Sequence, residues 1–499
     1  MNRSALAALW IPAGVAAVLG AAAFVGPPES VVRDRPGQQE LVVRATVVCP
    51  FVGGEARAKS YIGVLAGASG VVGAGEAEAA SVTAQALLGP EKKAESVLSA
   101  TAAGVLSVEE IETKDPNGYA VRAVGPLAPG LAAEQYMRAS GPDFRGLVSG
   151  RCAAPAREFW FVGGSGEVGR RGRLVLSNPT AVPAVVDVSV WDESGPVDAP
   201  ATRDIAIPAR SQHLLLLDAL APTAQRIGVR VSASQGRIAA SLEVRENDKL
   251  DPHGVTFIPA AAEPATEIVV PGVPRHGERT LRILAPGDTD AIVSLRLFGP
   301  DGPFSPVGQD VVTVPAGTVA EVPIDDAAAK AAVAVEIESD IPVTASVRVV
   351  DAPSDAAPEL AYTAATAALD GTAPALLGPN QADLKTRLLV TAVGDLPARA
   401  LVRSLKADGS VAEEQTVDVP GRSTVEVAVK PVPKNRWTTV VVEPAEPGTV
   451  AVTREIVGSD DDGALLDLLP LVAPVVSVQV PEVAGELPTG LAPAGPIIR

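Results

Sequence analysis

Residues 159–180 read FWFVGGSGEVGRRGRLVLSNPT, and the fold class turns on the element that comes after the glycines. Gly164, Gly166 and Gly169 spell GxGxxG directly after a strand-like aromatic run, the outline of a dinucleotide-binding turn. Such a turn must open a helix, because the pyrophosphate sits on free N–H groups at the helix N-terminus, with an acidic residue about 20 positions on. Here it opens RLVLSNP, a short apolar run closed by Asn-Pro. Asp187 falls near the required spacing but belongs to AVVDVSV, residues 184–190, whose alternation places it on the outer face of a strand. The stretch predicts a turn or bulge joining two β elements, and no nucleotide cofactor.

RLVLSNP reads as a strand because its surroundings recur. From Leu174, Leu281 and Arg387, 107 and 106 residues apart, the chain runs three times through the same order of segments. A short apolar strand (LVLSNPT, LRILAPG, RLLVTAVG) is followed by an alternating one (AVVDVSVWDESG, AIVSLRLFGPDG, ARALVRSLKADG). Then come DIAIPARSQHLLLLD, VVTVPAGTVAEVPID and TVDVPGRSTVEVAV, with Pro208, Pro315 and Pro420 at nearly equal offsets. Each copy closes on a hairpin such as VAVEIESDIPVTASVRVV. Period-2 alternation broken by Gly, Pro, Asp and Asn predicts an all-β chain of tandem antiparallel, Ig-like β-sandwiches at 159–262, 263–368 and 369–476.

Residues 41–158 read as an N-terminal β domain and a candidate divergent fourth copy, from LVVRATVVCP to the hairpin-like EQYMRASGPDFRGLVSGRC. Its Gly/Ala-rich stretch at 63–89 reads as a flexible loop with room for a short helix. Residues 29–40 are a linker and 477–499 a Pro-rich tail.

From Ser4 to Pro28 no residue is charged, and Arg3 precedes the run. Residues 1–28 therefore resemble a signal peptide, with Ala21 and Ala23 at the small-residue positions, or an uncleaved signal anchor. Length favours the anchor, since about 20 apolar residues span a bilayer. Either reading exports the rest of the chain, as a single-pass membrane protein with extracytoplasmic bulk or as a secreted one.

The net charge of −18 opposes nucleic acid and anionic lipid, and the acidity is spread as on a solvated surface. Cys49 and Cys152 are the protein's two cysteines, and in an oxidising compartment such a pair forms one disulfide. A zinc site or catalytic thiol would need histidines, and His213, His253 and His276 all lie elsewhere in the sequence. GxSxG, HExxH and a Gly-Lys dipeptide are absent. GSDDDG at 458–463 fails as an EF-hand because the twelfth position is Leu469; that run and Asp288 with Asp290 read as turns, with a weak Ca²⁺ site the alternative. No catalytic, cofactor-binding or metal residue is assigned.

Sugar-binding sandwiches stack rings on exposed Trp or Tyr. Trp191 and Phe298 share an offset in two copies, which points to packing, while Trp160 and Trp437 fall at no shared offset.

The apolar N-terminus, Val48-Cys49-Pro50, Cys152 followed by Phe159-Trp160-Phe161, and LSNPT before alternating strands together resemble an actinobacterial secreted or membrane-anchored family of unknown function, family 5719. The resemblance covers essentially the whole chain. It implies a cell-envelope location and a setting beside envelope glycosyltransferases, and it carries no catalytic residues. The resulting expectation is a non-enzymatic extracytoplasmic envelope protein, a membrane-tethered row of sandwiches serving envelope-glycan assembly, with an envelope protein or cell-wall glycan as partner. The alternative is a cell-wall glycan-binding module.

Overall fold

The computed structural model of the chain describes residues 38–50, 58–67, 80–111, 117–140, 144–249, 251–328, 330–354 and 356–480. The signal segment at 1–28 and nearly all of the tail at 477–499 lie outside the described residues. Among those described, no helix is long and apolar enough to cross a membrane. Residues 41–477 form one compact unit, and a separate small one holds residues 38–40 and 478–480, most of a two-stranded sheet of Gln38–Leu41 with Ser477–Val480.

Within residues 41–477 one strand order recurs four times. The strands of the first copy are Arg44–Cys49, Ala58–Leu65, Ser81–Ala86, Ser96–Ala100, Ser107–Ile111, Tyr119–Val124, Ala132–Ala139 and Gly146–Arg151. Taken in chain order, they form one sheet of order first–sixth–third–fourth and another of order fifth–second–seventh–eighth. The same two orders are built from strands between Glu158 and Ile258, between Ala265 and Ala364, and between Ala373 and Pro470. In the third copy Val333–Asp351 is continuous and serves as both sixth and seventh strand, passing from one sheet to the other.

Alternation explains the cores between the sheets. On Ala291–Gly299, Val293, Leu295 and Leu297 are buried while Ile292, Ser294 and Arg296 face outward. Burying each such Val or Leu contributes about 1.5–3 kcal/mol. The Gly/Ala-rich stretch is not one loop. Gly63–Leu65 ends the second strand and Ser81–Ala86 is the third, because Val64, Val82 and Ala84 alternate into the core; residues 68–79 are outside the described set.

The four copies are not strung in a row. Each eighth strand is buried on both faces and lends one of them to a neighbour. Leu360 and Tyr362 of the third copy enter the core of the second, while Ala361 between them stays in its own. Leu466 and Leu468 of the fourth copy enter the core of the third. Val255 and Phe257 of the second pack on Met137, Phe144 and Val148 of the first. Leu147 of the first packs among Leu376, Leu384 and Trp437 of the fourth, which closes a ring.

Buried polar groups fasten the ring. Glu359 is fully buried where three copies meet, and its carboxylate accepts hydrogen bonds from the N–H groups of Leu147 at 3.1 Å, Val255 at 3.2 Å and Leu360 at 3.1 Å. Arg454 reaches from the fourth copy to Glu134 at 2.7 Å and the Ser149 hydroxyl at 2.6 Å in the first, with Asp467 of its own copy 3.5 Å away. Arg348 of the third grips Glu246 of the second, which also pairs with Arg170 at 2.7 Å. His276 of the third meets Glu455 of the fourth at 2.8 Å.

The seams give a pH dependence of definite sign. Burial raises the Glu246 carboxyl, but Arg348 and Arg170 outweigh it and hold it below its ordinary value. Glu455, pulled down by His276 and Arg387 against burial, behaves alike. A depressed folded pKa contributes stability above the unfolded value, about 4.3 for Glu, which is lost as pH falls through the folded value. Arg348→Gln is therefore expected to cost about 1–3 kcal/mol at pH 7 and progressively less toward pH 3. Denaturation of both chains across that range checks this, and a cost that stays constant with pH would contradict it.

Candidate functional site

The glycine motif is a packing element. Its turn leads into the strand Arg170–Asn178, so no helix opens from it. Gly164 and Gly169 have positive φ, 83° and 86°. The Gly164 N–H donates to the Tyr362 hydroxyl at 3.3 Å, and the Gly164 carbonyl accepts from Arg282 at 2.9 Å, so the turn seats the third copy on the second. Asp187 accepts the Asp204 N–H at 2.8 Å and closes a local turn.

Gly166 is needed for space, since its φ is not among the positive ones. A Cβ there would stand 1.8 Å from the Ala221 carbonyl oxygen. Gly166→Ala is expected to cost about 1–3 kcal/mol through overpacking, with no change in the response to NAD. Thermal unfolding with and without NAD checks both statements.

The remaining sequence candidates have structural roles. Cys49 and Cys152 are bonded, S–S 2.03 Å, and link the first strand of one sheet to the end of the eighth strand of the other. Among the described residues no cluster of three or more His, Cys, Asp or Glu side chains could hold a metal. Within GSDDDG, Asp460 caps its own turn through the N–H of Asp462 and Gly463 and pairs with Arg145 at 3.1 Å and Arg138 at 3.2 Å. Asp290 accepts the Ala316 N–H.

No aromatic platform is formed by the described Trp and Tyr residues. Trp160 stacks on Trp191 at 5.8 Å, and Trp437 packs edge-on against Tyr61 and Tyr136, each at 5.2 Å. All three Trp, together with Tyr61, Tyr119, Tyr136 and Tyr362, are buried, as is Phe298.

Of several cavities among the described residues, one of about 620 Å³ lies where the first, second and fourth copies meet. That volume lies in the usual range for small-molecule sites, about 300–1,000 Å³. Its walls are aliphatic, from Val42 and Leu131 on one side to Pro374 and Val475 on the other, and Arg44, Arg151 and Arg237 project at its edge. Cys152 lines it, so the disulfide fixes one wall. Glu134 also lines it, but its carboxylate is already held by Arg454 and by the N–H groups of Leu376 and Leu377 at 2.9 and 3.2 Å.

Arg151 keeps solvent-accessible surface, yet the surrounding walls enclose it closely enough that desolvation lowers its pKa against the pull of Glu134. Among the described residues, the guanidinium groups of Arg151 and Arg237 make no hydrogen bond or ion pair. Sequence reasoning did not find this site, because residues from positions 42 to 475 supply it and share no motif. The one nearby signal was Arg151 standing next to Cys152.

No curated protein sequence matches the chain. Among solved structures, the crystal structure of Thermotoga maritima 1070 aligns with 16% identity and a TM-score of 0.19, covering 21% of this chain and 96% of that one. The Streptomyces avermitilis alpha-L-rhamnosidase complexed with L-rhamnose aligns with 11% identity and a TM-score of 0.14, covering 87% of this chain and 54% of that one. Scores this low carry no argument about fold or activity. The sequence pattern of the family of unknown function DUF5719 matches residues 105–430, more than half of the chain, and the protein therefore belongs to that family.

Proposed function

We propose that the protein is a non-enzymatic extracytoplasmic accessory protein of the actinobacterial cell envelope. In this reading its four sheet pairs are Ig-like sandwiches forming a rigid scaffold, tethered by the N-terminal apolar segment and linked to envelope-glycan assembly. The observation that carries it is the closed ring. Each copy surrenders an eighth strand to its neighbour, and buried ion pairs lock the seams, so the unit suits holding partners in fixed geometry better than a hinged catalytic cycle. The Cys49–Cys152 bond fits an oxidising compartment. Burial of every described Trp and Tyr weighs against the alternative of a glycan-binding module that stacks sugar rings.

The test is a pull-down of the full chain from crosslinked membranes, paired with protease treatment of spheroplasts. Enrichment of an envelope enzyme and digestion of the bulk are the expected results. Glycan enriched alone would favour the binding module, and full protection from protease would overturn the topology.

A further inference from the structure

We infer that the cavity between the first, second and fourth copies binds one aliphatic chain ended by a single anionic group, with the head facing Arg151 and Arg237. Two independent features of the site select this chemistry. The walls offer aliphatic surface with no aromatic ring, which suits a flexible hydrocarbon and gives a pyranose nothing to stack on. The edge offers two guanidinium groups that make no hydrogen bond or ion pair with a described residue, in a protein whose net charge is −18.

Cations kept unpaired against an excess of carboxylates are poised for an external anion, and guanidinium binds carboxylate or phosphate in a bidentate fork. The carboxylate in the wall is held mainly elsewhere, because Glu134 already accepts from Arg454 and two backbone N–H groups and makes no ion pair with Arg151. The chain carries the affinity and the head sets the orientation. The inference goes beyond the accessory role and does not depend on it: capture of partners tests one, titration of ligand the other.

The experiment titrates the purified full chain with octanoate, decanoate and tetradecanoate, and with tetradecanol, acetate and glucuronate as controls. Binding is expected to be saturable and to tighten about fourfold for each added methylene. Tetradecanol is expected to bind at least tenfold more weakly than tetradecanoate, and acetate not measurably. The double variant Arg151→Gln, Arg237→Gln alters two exposed side chains and should keep its melting temperature. It should lose at least tenfold in tetradecanoate affinity and leave tetradecanol unchanged. Myristoyl lysophosphatidate, which carries the same single chain, separates the two sources of the shared chemistry: tighter binding than tetradecanoate assigns a membrane lipid, and weaker binding a free fatty acid. Three results would overturn the inference: no saturable binding of either acyl ligand, an affinity indifferent to the two arginines, or glucuronate binding that equals tetradecanoate.

Discussion

Arg454→Met is expected to destabilise the full chain by about 3–5 kcal/mol, the usual cost of removing one member of a buried ion pair. Arg454 is 1% exposed, and it lies between Glu134 and Asp467, themselves about as deeply buried. Without the guanidinium two carboxylates face each other in a low-dielectric seam, and the Ser149 hydroxyl loses a donor. Asp467 already sits above its ordinary value because burial outweighs the pull of Arg454, so in the variant it is expected to take up a proton. The urea midpoint measures the loss. Adding Glu134→Gln and Asp467→Asn to Arg454→Met should recover part of it, because the uncompensated charges are then gone. A single variant within about 0.5 kcal/mol of the parent, the range of ordinary surface changes, would mean that this cluster does not hold the first copy to the fourth.

Loss of the disulfide should have an effect of similar size. The bond joins residues 103 apart, and constraining a loop of that length in the unfolded chain stabilises by about 4–5 kcal/mol in the chain-entropy model. Cys49→Ala with Cys152→Ala should lower the melting temperature, and dithiothreitol should do the same to the parent and nothing further to the variant. The first copy should suffer most, since both sulfurs lie in its core. Mass spectrometry of non-reduced peptides that found two free thiols would contradict the pairing outright. Because Cys152 also lines the cavity, the variant offers a second check on the site: ligand affinity should fall as that wall loosens.

Much of the secondary structure was legible from the chain. The alternation of Val186, Val188 and Val190 against Val185, Asp187 and Ser189 has a period that only a half-buried strand satisfies, and the structure has Ala184–Trp191 there. The clash between the GxGxxG outline and the strand after it was likewise visible, because a phosphate turn without a helix lacks its donors. The pairing of the cysteines came from their number and the expected compartment. The flexible-loop reading of residues 63–89 missed the strands at Gly63–Leu65 and Ser81–Ala86 because small residues mask alternation: Ala84 is as buried as Val82, yet composition marks the stretch as linker-like.

The sequence by itself determined the local elements, the strand-after-glycine reading and the covalent staple, because each rests on periodicity, turn chemistry or residue count along a short stretch. Only the tertiary structure decided that the copies close into a ring, that Glu359 and Arg454 are seam residues, and that Arg151 and Arg237 edge one cavity. The runs ELAYTA and GALLDLLP announce strands covered on both faces, but nothing in them names the neighbour that provides the second cover. That choice depends on shape and charge complementarity between surfaces more than 100 residues apart in sequence, such as Leu147 N–H against Glu359, where the separation is 212. Local sequence carries the energy of each strand; the partner of its outer face is fixed by a sum over the whole folded chain.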